Sequence, residues 1–272
     1  MRLGGAARVS CVVGLAVSIG LTGCRPPRPA RLPLERPPTA ESVRTGLARV
    51  PAPPGVEGSG ALQVTLLGRK LPGVTARFCG APDSGRVTLR PGILSPVLAL
   101  WASGTDWRVG LPPRHVVVIG DAVGPDEIRL ARLLWYIVCP RDLAADLTAA
   151  TCRASDEGWI LRGRLGDLGA WVRAVELQLD PSGEGIGRWS LWLATGSSAF
   201  SVAYDRPLLV ATTGTAISFV APPLGARGIL TLNQFRISST QQIVRPSVPP
   251  GWAILPADSL LRFLEGFSPA GE

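Results

Sequence analysis

Apolar and polar positions divide the 272-residue chain into stretches of different period. An apolar run from Val9 to Leu21 follows Arg2 and Arg8, and small residues precede Cys24. The run is too short to span a bilayer comfortably and has the basic flank of a secretory signal. Residues 25–38 hold six prolines without apolar periodicity. They predict an extended, semi-rigid spacer rising about 3.1 Å per residue. Thr39 then suits the N-cap of a short helix whose Val43, Leu47 and Val50 fall on one face, before Pro51, Pro53 and Pro54 stop it.

From Gly55 the period changes from 3.6 to 2. Val64 and Leu66 alternate in a first strand. Val74, Ala76 and Phe78 form one face of a second, with Thr75 and Arg77 on the other, and Val87 and Leu89 mark a third. Turn residues fall at 68–73 and at Pro82-Asp83-Ser84-Gly85. Strands 97–101 and 107–111 flank Ser103-Gly104-Thr105-Asp106, a hairpin by composition. One helical insertion interrupts this meander. Pro125 suits its first position, and Leu130, Leu133, Leu134, Ile137 and Val138 make a broad apolar stripe ended by Pro140. A second short helix is expected from Arg141 to about Ala150. Strands resume at 158–164, 171–180, 187–194, 200–204, 215–220 and 229–238, and a closing helix is expected over 256–267. The fold class is therefore α+β: a strongly curved antiparallel sheet of about 10–11 strands with helices packed on its concave side.

Charge changes the picture less than its total suggests. The formal charge is +8, but Arg2 and Arg8 leave with the signal, and residues 25–50 carry six Arg against Glu35 and Glu41, a net of +4. The body keeps +2, so no nucleic-acid partner is expected. Basic residues on the tether can hold anionic headgroups, each contributing on the order of 1 kcal/mol near a charged surface. Cys79, Cys139 and Cys152 are an odd set of thiols. Cys139 and Cys152 are open to two readings, a bridge or two buried thiols.

Catalytic chemistry is thin. His115 is the sole histidine, at the start of an apolar strand, and any Ser-His-Asp or Cys-His arrangement would depend on it. Gly183-Glu184-Gly185-Ile186-Gly187 follows Pro181-Ser182 in a turn and opens no helix, so it reads as a loop. Asp126-Glu127 and Asp156-Glu157 read as charge capping and solvation. No metal, cofactor or catalytic residue is expected. The eight tryptophans (101, 107, 135, 159, 171, 189, 192 and 252) are open to two readings, core packing or the lining of an apolar cavity.

Leu21-Thr22-Gly23-Cys24 resembles a bacterial lipobox, which implies cleavage before Cys24 and a diacylglyceryl group on its sulfur. The helix at 39–50, Gly60-Ala61-Leu62-Gln63-Val64, Ala81-Pro82-Asp83, Pro96-Val97-Leu98, the Gly104 to Trp107 hairpin, and Gly120-Asp121-Ala122 leading to Leu130-Ala131-Arg132-Leu133-Leu134 resemble the LolA/LolB-like superfamily of bacterial lipoprotein carriers. The resemblance runs over nearly the whole mature chain by order of elements. It implies an unclosed half-barrel with a helical lid over an apolar cavity, and the task of receiving acyl chains. Of its two namesakes, LolB is an outer-membrane lipoprotein, in line with Cys24, and LolA is soluble.

The expected organisation is a signal peptide over 1–23, a Pro/Arg-rich tether over 24–38 and a half-barrel domain over 39–272. The expected function is that of a monomeric, non-enzymatic outer-membrane lipoprotein facing the periplasm, with acyl chains or lipidated proteins as cargo. The alternative is an envelope-assembly scaffold that binds a protein partner; a hydrolase using His115 is a third reading. Phe78, Trp107, Trp171 and Trp189 are the candidate cavity-lining residues. Ile93 and Leu94, between Pro91 and Pro96, resemble in position a protruding loop of LolB that carries an exposed leucine. They either contact the membrane or fold back over the cavity mouth.

Overall fold

The structure, a computed structural model, describes residues 38–121, 130–166, 172–193, 195–238, 243 and 245–256. Cys24, the tether, Trp171 and the expected helix beyond Pro256 lie outside the described residues.

Helix α1 (Ala40–Ala48) begins where the Thr39 hydroxyl accepts the Ser42 N–H at 3.1 Å, the cap its sequence predicts. Val43 and Leu47 are buried, each contributing about 1.5–3 kcal/mol. Val50 lies beyond the helix end and is exposed, because the chain turns away at Pro51 instead of completing another turn.

The strands are β1 (Val56–Leu66), β2 (Arg69–Lys70), β3 (Val74–Ala81), β4 (Ser84–Arg90), β5 (Leu98–Ser103), β6 (Asp106–Leu111) and β7 (Val116–Asp121). Helices α2 (Leu130–Val138) and α3 (Pro140–Asp146) follow. Then come β8 (Thr148–Ser155), β9 (Gly158–Arg164), β10 (Val172–Leu179), β11 (Ile186–Leu193), β12 (Ser198–Leu208), β13 (Ala216–Ala221), β14 (Ala226–Ile237) and β15 (Ala253–Pro256). All 15 belong to one sheet, ordered β15-β7-β6-β5-β4-β3-β1-β14-β13-β12-β11-β10-β9-β8, with β2 paired to β1. The end strands β15 and β8 do not meet, so the sheet is an unclosed half-barrel. Every adjacent pair is antiparallel except β15 with β7.

Beyond the expected 10–11 strands, the apolar strand after His115 is β7, and three further elements bring the count to 15. β2 is a two-residue pairing across a turn. Residues 148–155 leave the helix after Asp146 and pair with β9 as β8, where a helix to Ala150 was expected. Residues 253–256 add to β7, with the Ala253 N–H donating to the His115 carbonyl at 2.9 Å. His115 itself sits at φ 53° between a short 3-10 turn and β7, its ring 5.9 Å from that of Trp252.

Directly paired residues share a face of a sheet. One row crosses the N-terminal half as Gly58, Phe78, Val87, Leu100, Val109 and Val118. It is apolar throughout and faces α2. The neighbouring row, on the other face, reads Arg236, Glu57, Cys79, Arg86, Trp101 and Arg108. In the other half, Leu161, Leu177, Trp189 and Val202 are paired in one row and fully buried. They share a core with Leu47, Leu143 and Leu147 of the α1 and α3 region.

Two aromatic rings pack closely on facing glycines. A Cβ on Gly58 would come within 2.6 Å of the Phe78 ring, and one on Gly120 within 2.2 Å of Trp107. Both are cross-strand pairs, and only glycine admits so close an approach.

Candidate functional site: an apolar cavity beneath α2

Between α2 and the inner face of β3, β4 and β5 lies a cavity of about 280 Å³. Its walls include Ala76 and Phe78 from β3, Val87 and Leu89 from β4, Leu98 and Leu100 from β5, and Phe219 and Leu230 from β13 and β14. The roof is α2, through Ala131, Leu134, Trp135 and Val138 at i, i+3, i+4 and i+7, the spacing of a single helix face. Leu134 and Trp135 lie over Gly85 and Gly80, which are cross-strand partners. The cavity stands at the lower edge of the roughly 300–1,000 Å³ typical of small-molecule pockets. Its lining suits an alkyl chain, which gains about 0.8 kcal/mol per buried CH₂.

The roof is fixed most firmly at its C-terminal end. Buried Tyr204 accepts the Trp189 indole N–H at 2.9 Å and donates to the Ile137 carbonyl at 3.0 Å. Burial holds the Tyr204 phenol well above its ordinary pKa, so it remains a donor. The Val138 carbonyl accepts the Ala211 N–H at 2.8 Å. One turn earlier, Arg132 donates to the Tyr136 hydroxyl at 3.1 Å and to the Asp146 carboxylate at 2.6 Å, and Tyr136 donates to the same carboxylate at 2.7 Å. Burial alone lowers the Arg132 pKa, but its contacts with Tyr136 and Asp146 outweigh this and raise it. Burial, then Asp146, raises that of Tyr136. The Trp135 indole N–H donates to Asp142 at 2.6 Å, whose carboxylate is 3.1 Å from buried Arg141. These bonds tie α2 to α3 and leave its apolar face free to roof the cavity.

Phe78 lines the cavity. Trp107 does not: it rests on Gly120 and packs with a separate small core of Val109, Leu111, Val116 and Val118. Trp189 is fully buried in the packed half of the barrel, beside Phe200 and bonded to Tyr204, and is not among the cavity walls. Trp171 lies outside the described residues. The roof residues Leu134, part of the expected helical stripe, and Trp135, one of the tryptophans open to either reading, are not among the four candidate cavity-lining residues; the stripe is the signal that points to them. Ile93 is fully exposed and Leu94 is 65% exposed, and neither lines the cavity, so the fold-back reading of this loop does not hold. The Leu94 N–H donates to the Pro91 carbonyl at 3.2 Å and the Val97 N–H to Leu89 at 2.9 Å, which holds the tip in one conformation.

Cys139 and Cys152 are free thiols, as is Cys79. Burial raises Cys139 to about 12. Among the described residues no group of three or more His, Cys, Asp or Glu could hold a metal ion, and no helix is long and apolar enough to cross a membrane.

No protein-family model matches the chain, and no curated protein matches its sequence. Solved structures do match. A DUF1329 family protein from Desulfovibrio piger aligns with a TM-score of 0.52 at 10% identity, covering 75% of this chain and 93% of its own. A domain described as an outer membrane lipoprotein-sorting protein, from Vibrio parahaemolyticus, gives 0.52 at 11%, covering 75% and 94%. A LolA superfamily protein from Nitrosomonas europaea gives 0.52 at 12%, covering 77% and 98%. Identity at this level speaks to fold alone. With its single unclosed antiparallel sheet and helices on the concave side, the chain has a LolA/LolB-like fold.

Proposed function

We propose that this protein is a lipid carrier of the bacterial envelope, which holds an acyl chain, free or attached to a lipoprotein, in the cavity beneath α2 and passes it to a membrane without catalysis. The observation that carries the reading is the apolar cavity between Phe78, Leu89 and Leu100 on one side and Leu134 and Trp135 on the other. Its size suits part of one chain, so longer cargo requires α2 to lift. The Arg132 end of the helix is bound to α3 through Asp146 but only weakly to the sheet: its ion pair to Asp83 in the β3–β4 turn spans 3.7 Å to an exposed carboxylate, a contact of little energy.

The Ile93-Leu94 loop supports delivery. Leu89 and Leu98 are cross-strand partners in the cavity wall, and the loop leaves the sheet just beyond them. Exposed aliphatic side chains at the cavity rim fit shallow insertion into lipid. Cys24 would carry the diacylglyceryl anchor, holding the domain at the outer membrane on its periplasmic side as a monomer, with the proline-rich tether as spacer. Sorting of outer membrane lipoproteins, the role in the description of the Vibrio parahaemolyticus domain, is the specific task this reading favours.

Mass spectrometry of lipids co-purifying with the detergent-extracted chain tests the carrier reading. Stoichiometric acyl lipid is expected. Its absence, together with a protein partner retained on the sheet, would favour the scaffold alternative. For the anchor, Cys24→Ser should abolish the lipidated mature mass and membrane fractionation of the wild-type chain; an unchanged mass and distribution would refute it.

A further inference from the structure

The outer face of the sheet carries a second, open concavity of about 830 Å³, lined by charged and polar side chains together with Phe78 and Phe235. Arg77, Arg86, Arg90 and Arg236 line it against a single carboxylate, Glu57, a net charge of +3. Arg77 pairs with Thr88 and Ser59, and Arg86 with Cys79, so these side chains share the face opposite Phe78 and Val87. Arg236 is engaged by Glu57. Among the described residues, Arg77, Arg86 and Arg90 make no ion pair or hydrogen bond of their own, and the Arg90 Nε is buried without a partner. Thr88, Gln234 and Asn233 add hydrogen-bonding side chains to the same groove.

Arg77 and Arg86 are exposed and Arg90 is partly buried; set side by side on two adjacent strands, they concentrate positive charge that an anion would neutralise. Their planar forks match the oxygens of a phosphate in bidentate fashion. The volume lies within the roughly 300–1,000 Å³ range of small-molecule sites. We infer that the outer-face groove of Arg77, Arg86 and Arg90 is a binding site for a compact phosphate-bearing ligand. A phospholipid headgroup and a soluble phosphate share this chemistry. Arg90 is the last residue of β4, next to the loop that bears Ile93 and Leu94, a position that favours the headgroup. The groove opens on the sheet face opposite the cavity, with Phe78, Cys79 and Arg86 common to both linings, and anion binding there does not require an acyl chain in the cavity.

The test is calorimetric titration of the full mature chain, in neutral detergent, with inorganic pyrophosphate and with glycerophosphoglycerol, the deacylated headgroup of phosphatidylglycerol. Binding that weakens with salt is expected, with about a tenfold or greater loss in Arg77→Gln/Arg86→Gln/Arg90→Gln. Tighter binding of glycerophosphoglycerol assigns the site to a headgroup, and tighter binding of pyrophosphate to a soluble phosphate; both support the inference. Neither probe binding, or equal affinity in the triple variant, overturns it. Should the triple variant melt early, Glu57→Gln gives a test of opposite sign. Removing the one carboxylate also frees Arg236, so binding should tighten, and unchanged or weaker binding overturns the site.

Discussion

The Tyr204 hydroxyl donates to the Ile137 carbonyl at 3.0 Å while accepting the Trp189 N–H, so one buried side chain links β11, β12 and the end of α2. Tyr204→Phe keeps the ring but leaves a carbonyl and an indole N–H without this partner. The expected cost is about 1–3 kcal/mol. Urea unfolding should report that loss, and hydrogen exchange should show faster opening of residues 135–138. Unchanged stability and protection would mean that the helix end is held elsewhere.

Stability should fall on the alkaline side. Burial raises Cys139 from the ordinary 9.0 to about 12, and raises Tyr136 and Tyr204 as well. For a group whose folded pKa is raised, stability is fully present below the unfolded pKa and is lost as pH rises toward the folded one. The Cys139 contribution is therefore intact at pH 8 and declines between about pH 9 and 12, with the tyrosines adding to the fall above about pH 10. Thermal melts from pH 7 to 11 check this. A melting temperature that is flat or rising above pH 9 would contradict the buried, protonated state of these groups.

The loop at 91–97 separates membrane contact from packing. Ile93→Ser with Leu94→Ser removes two side chains that touch little of the protein, so urea stability should shift by less than about 0.5 kcal/mol. Vesicle binding of an unlipidated chain should weaken strongly, since each side chain contributes roughly 1.5–3 kcal/mol if fully buried in lipid. Unchanged vesicle binding would remove the loop from the delivery step.

The α2 stripe and the alternation of β10 were legible because local periodicity follows directly from which face is covered. The face of Phe78 was legible for the same reason. Trp189 shows the limit of such reasoning: alternation places it inward, but only long-range packing, here against Phe200 and Tyr204, decides whether an inward position is filled or open. β8 was hidden because Leu143, Ala144 and Leu147 continue into Ala149 and Ala150 without glycine or proline, and pairing with β9 overrides that helical pattern. β15 is four residues long and exists through parallel pairing with β7, a long-range contact with no local signature. The cavity depends on the β1–β14 pairing that brings Leu230 and Phe219 beside Leu62 and Phe78, which no window of sequence contains. The arginine groove was half visible, since Arg77 was read as facing away from Phe78, but its partners come from other strands.

The most direct test of acyl binding beneath α2 is site mapping with a photoreactive fatty acid. On irradiation, crosslinks should fall in peptides containing Ala76–Leu89, Leu98–Leu100 and Leu130–Val138, the segments that wall the cavity. Ala76→Phe, which fills the cavity from its buried β3 wall, should cut labelling about tenfold or more while costing about 1–3 kcal/mol of stability. Labelling confined to the outer face, or undiminished in a folded Ala76→Phe variant, would contradict the account.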